Sequence, residues 1–123
     1  MSKPLALICY SNLHPGSRLA ARLQDLGYRV QTLGALAGLA EVCRSEKPFV
    51  VLAEISPQQD GRAEFAALKQ NPDTAHIPVL AFAAAPDKAF AAAAREAGIA
   101  LLADSGAVLE QLPQLLDQVL RLD

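Results

Sequence analysis

Short apolar runs alternate along the chain with longer segments in which apolar residues recur every three or four positions. The runs are Leu5–Tyr10, Tyr28–Leu33, Phe49–Ile55, Pro78–Ala83 and Ile99–Ala103. Three of them are nearly continuous in apolar character, the pattern of strands covered on both faces. Between them, the period predicts helices over Pro15–Leu26, Ala35–Glu46, Gly61–Gln70 and Pro86–Ala97. In the first, Leu19, Leu23 and Leu26 share a face, and Gly27 supplies a stop. The last has a proline in its first turn, with Asp87 beside it, and ends at Gly98. A fifth helix closes the chain, with Leu112, Leu116, Val119 and Leu120 at helical spacing. Pro113 lacks the amide that would bond the Leu109 carbonyl, so a short turn is expected first, then a helix from about Leu112 to Leu122.

The order is (βα)5. Each connection is long enough for a crossover helix, which implies parallel strands. The expected fold is α/β: a three-layer αβα sandwich, flavodoxin-like, with a parallel sheet in the order 2-1-3-4-5. Its 123 residues suit one domain spanning 1–123.

Composition narrows the function classes. Eleven Lys and Arg against thirteen Asp and Glu give a formal net charge of −2, and the cations form no stripe. With no Trp and few aromatics, a nucleic-acid platform is not expected. No apolar segment reaches the ~20 residues of a membrane span, and the apolar run near the start is too short for a signal peptide. Cys9 and Cys43 lie inside predicted regular elements and read as reduced thiols of a cytoplasmic protein. With His14 and His76 they make no zinc pattern, and neither a metal nor another cofactor is implied.

In a sheet of this order ligands bind at the carboxyl ends of the strands, near the switch between strands 1 and 3. The residues placed there are Tyr10, Ser11 and Asn12; Glu54 and Ser56; Ala83 and Ala84; and Asp104 and Ser105. They offer hydroxyls and two carboxylates, with no Lys or Arg positioned by the pattern. No nucleophile–base pair is visible, so an enzyme is not expected.

Four stretches, in order and at matching spacing, resemble the receiver domain of two-component response regulators. They are LGYRVQTL (Leu26–Leu33), KPFVVLAEI (Lys47–Ile55), NPDTAHIPVLAF (Asn71–Phe82) and REAGIALLADS (Arg95–Ser105). The resemblance covers essentially the whole chain. It implies a carboxylate on strand 3 that accepts a phosphoryl group and an acidic pair after strand 1 that helps hold Mg²⁺. It also implies a Ser or Thr after strand 4 and a Lys after strand 5. Aligned on Gly27, Tyr10 and Ser11 stand where the acidic pair belongs. Aligned on Pro48, Glu54 stands at the phosphoacceptor, with a turn after it one residue shorter than usual. Aligned on Ile77, Ala83 stands at the hydroxyl. Aligned on Ala97, Ser105 stands at the Lys and Leu102 at the aromatic position coupled to the switch.

These departures imply a degenerate site. One carboxylate binds Mg²⁺ weakly. Losing the cation that stabilises phosphoryl transfer costs several powers of ten. Glu54 is one methylene longer than Asp. The reading is a non-catalytic pseudo-receiver, a signalling module acting through protein contacts. Two alternatives stay open: an unorthodox phosphoreceiver of a phosphorelay, and a small-ligand binder using the pocket between strands 1 and 3. Glu54 is either a fixed mimic of the charged state or an acid hydrogen-bonded to Tyr10 or Ser11. Asp104 reads as a cap or solvated acid, and Ser105 as a helix or turn cap.

The Ala-rich stretch Ala89–Ala94 reflects either helix propensity or a smooth docking face. In receivers the fourth helix, fifth strand and fifth helix form the output face. Here that face places Ala91, Ala94 and Leu101 as candidates for contact with a protein partner or for a homodimer.

Overall fold

The structure, a computed structural model, describes residues 3–10, 13–57, 59 and 61–121. Five strands, β1 (Leu5–Cys9), β2 (Arg29–Leu33), β3 (Val50–Glu54), β4 (Val79–Ala83) and β5 (Leu101–Asp104), form one parallel sheet. Their order is β2-β1-β3-β4-β5, as the alternation of runs and helices predicts. β1 and β4 are buried along their whole length and β3 along all but its last residue. That is why these three lack an alternating pattern. The outer strand β2 exposes Arg29 and Thr32, polar side chains that discourage further strand pairing.

The helices are α1 (Leu13–Asp25), α2 (Leu39–Glu46), α3 (Arg62–Gln70), α4 (Lys88–Glu96), α5 (Ser105–Val108) and α6 (Leu112–Arg121). Strand periodicity splits the core in two. On one face Leu7, Cys9, Val51, Ala53, Val79 and Ala81 pack under α2, α3 and α4, through Leu39, Cys43, Phe65, Leu68 and Ala94. On the other, Ala6, Ile8, Val50, Leu52, Leu80 and Phe82 pack under α1, α5 and α6, through Leu19, Leu23, Val108, Leu112, Leu116 and Val119.

Helix boundaries differ from the sequence expectation for local reasons. α1 begins at Leu13, with Pro15 inside its first turn, where no amide is required. α2 begins four residues later than its period suggests. Leu36 keeps its place in the core, but Gly38 at φ 83° breaks the helical path before Leu39. α4 starts after Asp87, whose side chain accepts from the Phe90 amide at 2.7 Å, leaving Pro86 outside. At the C-terminal end, the short α5 precedes α6, in which Pro113 is the second residue. β5 starts at Leu101 instead of Ile99, whose amide donates to the Ala94 carbonyl as the chain leaves α4. In the α3–β4 loop, buried Thr74 donates its hydroxyl to the Leu68 carbonyl at 2.7 Å, tying the loop to the end of α3.

Candidate functional site

The carboxyl ends of β1 and β3 lie side by side, with Cys9 opposite Ala53 in register. Tyr10 continues β1 by one residue, its amide donating to the Leu33 carbonyl at 3.0 Å. Its half-buried ring packs onto Gly16 of α1, so closely that a Cβ at Gly16 would overlap the ring carbons. The Tyr10 ring is thus laid on a helix.

Glu54 ends β3, half-buried and opposite Phe82 of β4. The chain then turns sharply: Ser56 and Gln59 exchange both backbone hydrogen bonds, at 3.1 and 3.0 Å. The Gln59 amide also reaches the Ser56 hydroxyl at 3.2 Å. This turn brings Gln59 beside Glu54, Cys9 and Tyr10, and the β2–α2 loop at Gly34 to Leu36 closes the other side. The space between them has about 10 Å³ open to the centre of a water molecule, about enough for one water. Neither Gln59 nor the Gly34–Leu36 loop carries a motif that would have marked it in sequence; the turn after β3 brings in the first, and the sheet order the second.

Ala83 ends β4, almost fully buried, opposite Asp104 of β5. Asp104 is the cap of α5, with Oδ1 accepting from the Gly106 amide at 3.0 Å. Ser105 is the first residue of α5 and is half-buried, so the capping expected of it falls to its neighbour. Ser11 and Asn12 lie outside the described residues. The side chain of His14 also lies outside them, and His76 is exposed in the α3–β4 loop.

Magnesium requires near-octahedral oxygen ligation. Among the described residues at the strand ends, Glu54 and Asp104 are the carboxylates, and one oxygen of Asp104 is committed to the Gly106 amide. Tyr10 lies on α1. No three His, Cys, Asp or Glu side chains converge among the described residues. The described donors by themselves do not fit the ion. The described strand-end residues also include no Lys or Arg; the first cations that follow β3 and β4 in sequence are Arg62 and Lys88, at the starts of α3 and α4.

Cys9 borders this cleft but is not a nucleophile. Burial, and secondarily the proximity of Cys43, push its thiol up to about 12. Burial pushes Cys43 up to about 11. Both remain protonated and unreactive near neutrality.

The predicted contact face needs correction at one position. Ala94 is only 6% exposed and packs into the core beneath α4, with what remains of it turned to the α3–α4 groove and not to the outer face. Ala91 and Leu101 are half-buried, and Ala92, Arg95 and Glu96 point outward. The alanine run also has a consequence that its composition did not show. Ala89, Ala93 and Ala97 share one side of the helix with Phe90, and face Ile55, Pro57 and Arg62 across a groove of about 330 Å³. Among the described residues, no helix is long and apolar enough to cross a membrane.

No family model matches the sequence, and no curated protein matches it. Solved structures do. A response regulator from Burkholderia multivorans is 24% identical, with a TM-score of 0.72 over 92% of this chain and 94% of its own. A response regulator from Desulfuromonas acetoxidans is 22% identical, with a TM-score of 0.76 over 96% of each chain. The signal receiver domain of a histidine kinase from Clostridium thermocellum is 14% identical, with a TM-score of 0.80 over 97% and 98%. The chain therefore has the receiver-domain fold of two-component signalling proteins.

Proposed function

We propose that the chain is a pseudo-receiver: a signalling module of receiver fold that works through protein contact and does not turn over a phosphoryl group. The observation that carries this reading is the placement of Tyr10. Where a phosphoreceiver needs a metal-binding acid, this chain has a phenol ring packed on Gly16. Three further features support it. Glu54 stands at the end of β3 where Asp is needed, Ala83 offers no hydroxyl at the end of β4, and Ser105 stands where a Lys is needed. Contact with a protein partner, or with a second copy, falls on the face formed by α4, β5 and α6, through Ala91, Leu101 and the exposed residues beside them. Action in the cytoplasm fits two buried, protonated thiols.

Beryllofluoride with Mg²⁺ is the test, because it imitates an acyl phosphate on a competent carboxylate. The amide spectrum is expected to remain unchanged around Tyr10, Glu54 and Ala83. Saturable shifts there would replace this reading with the unorthodox phosphoreceiver. A small-ligand reading has its own supporting observation in the α3–α4 groove, and not in the narrow cleft between β1 and β3. A rise in melting temperature with a metabolite, accompanied by shifts at Ala89 and Ala93, would favour it.

A further inference from the structure

At the opposite, amino edge of the sheet, each of three adjacent strands is entered through a proline. Pro4 precedes β1, Pro48 lies just before β3, and Pro78 precedes β4. The sheet order places these three residues, far apart in sequence, along one wall of a hollow of about 400 Å³. Prolines present ring carbons and no amide hydrogen, so the wall offers no backbone donor at these three positions. It is also pre-formed. The Pro4 carbonyl accepts from Arg29 at 2.9 Å, the Leu5 carbonyl from Phe49 at 2.7 Å and the Pro78 carbonyl from Val51 at 3.0 Å.

Phe49 lines this hollow and is 51% exposed, more than any other large apolar side chain among the described residues. Leu26, the other exposed one, lies in the α1–β2 loop at the same edge. The exposed half of the Phe49 ring stands beside this wall as apolar surface available for a partner to cover. The charged and polar side chains around it are Arg29, Lys47 and His76, and no carboxylate lines the hollow among the described residues. The chain as a whole carries a net charge of −2, so this is a local reversal of sign.

We infer that the amino edge is a docking site for an acidic peptide segment of a partner protein, with an aliphatic or aromatic side chain seated against Phe49 and the prolines. Arg29 and Lys47 would pair with its carboxylates, and His76 would add a donor. Arg29 is already steadied by the bond from its Nε to the Lys3 carbonyl at 3.3 Å, which leaves its terminal nitrogens for a bidentate contact. A nucleic acid fits less well, because the hollow offers one exposed ring and no track of cations along a backbone. The site is remote from the receiver cleft and does not depend on whether that cleft is chemically silent.

The test uses a blocked hexapeptide of two glutamates, leucine, phenylalanine and two more glutamates, titrated into the ¹⁵N-labelled full chain. Saturable shifts are expected at the amides of Arg29, Lys47, Phe49 and His76, with none at Tyr10, Glu54 or Ala83, and a Kd of about 1 mM or tighter. Arg29→Glu, Lys47→Glu and Phe49→Ala should each weaken binding about tenfold or more, the scale of a lost charge pair or anchor. All three positions are exposed, so folding is expected to survive, and unchanged spectra elsewhere would confirm it. The same peptide with lysine in place of glutamate should not bind. Absence of saturation, equal binding of the lysine peptide, or indifference to both charge reversals overturns the proposal. Stronger shifts of the same amides by an oligodeoxythymidylate, or a dimer that buries them, overturns it in favour of nucleic acid or a second copy. The beryllofluoride response is read at other amides, so failure of one reading leaves the other standing.

Discussion

Replacing Gly16 by alanine should separate the two demands made on that position. In a helix, Gly→Ala ordinarily stabilises by about 0.8–1.0 kcal/mol. Here the added methyl would overlap Cγ and Cδ2 of Tyr10. The ring cannot yield freely, because it packs against the α1 side of the core. Overpacking of this kind costs about 1–3 kcal/mol. The expected net effect of Gly16→Ala is therefore a loss of about 1 kcal/mol. In a Tyr10→Ala background the obstruction is gone and the same substitution should stabilise by up to about 1 kcal/mol. The sign change amounts to a coupling energy of about 2 kcal/mol, within the range for residues in direct contact. Urea unfolding of the four proteins, with m-values compared to confirm an unaltered denatured state, measures it. If Gly16→Ala stabilises both backgrounds equally, Tyr10 does not lie on α1. Its ring would then lend no support to the pseudo-receiver reading.

Two further expectations concern stability. Thr74→Val removes a hydroxyl that is 2% exposed and donates to the Leu68 carbonyl at 2.7 Å; it should cost about 1–2 kcal/mol in urea unfolding, the price of a buried acceptor left unmet. For the thiols the sign follows from their raised values: the folded state keeps the proton longer than the unfolded chain does. Their contribution is fully present below about 9, falls as pH rises and is gone above about 12 for Cys9 and about 11 for Cys43. For Cys9 the span of about three pH units corresponds to an upper figure of about 4 kcal/mol. A Cys9→Ala, Cys43→Ala protein should therefore have a flatter stability profile between pH 9 and 11; an unchanged slope would refute the assignment.

Strand order was legible in sequence because three strands are covered on both faces and read as unbroken apolar runs. The start of α2 was not, since Leu36 satisfies the helical period although it sits in a turn ahead of Gly38. Ala94 was misplaced for a different reason. A run of alanines has no contrast between its sides, so periodicity cannot tell which methyl faces the sheet. At the cleft, Tyr10, Glu54 and Ala83 could be located by counting from Gly27, Pro48 and Ile77, but Gln59 could not, because a turn with reciprocal hydrogen bonds brought it in. The amino-edge hollow was invisible altogether. Pro4, Pro48 and Pro78 become neighbours only once the sheet is assembled.

The position of β1 also bears on how the chain matures. Of the five strands it is synthesised before the others, yet its Ala6–Cys9 segment pairs with Val50–Ala53. Some forty residues must be synthesised before that edge can close, during which an apolar strand waits with one side open. Nascent chains arrested before β3 should therefore be the ones that chaperones retain and that aggregate when released.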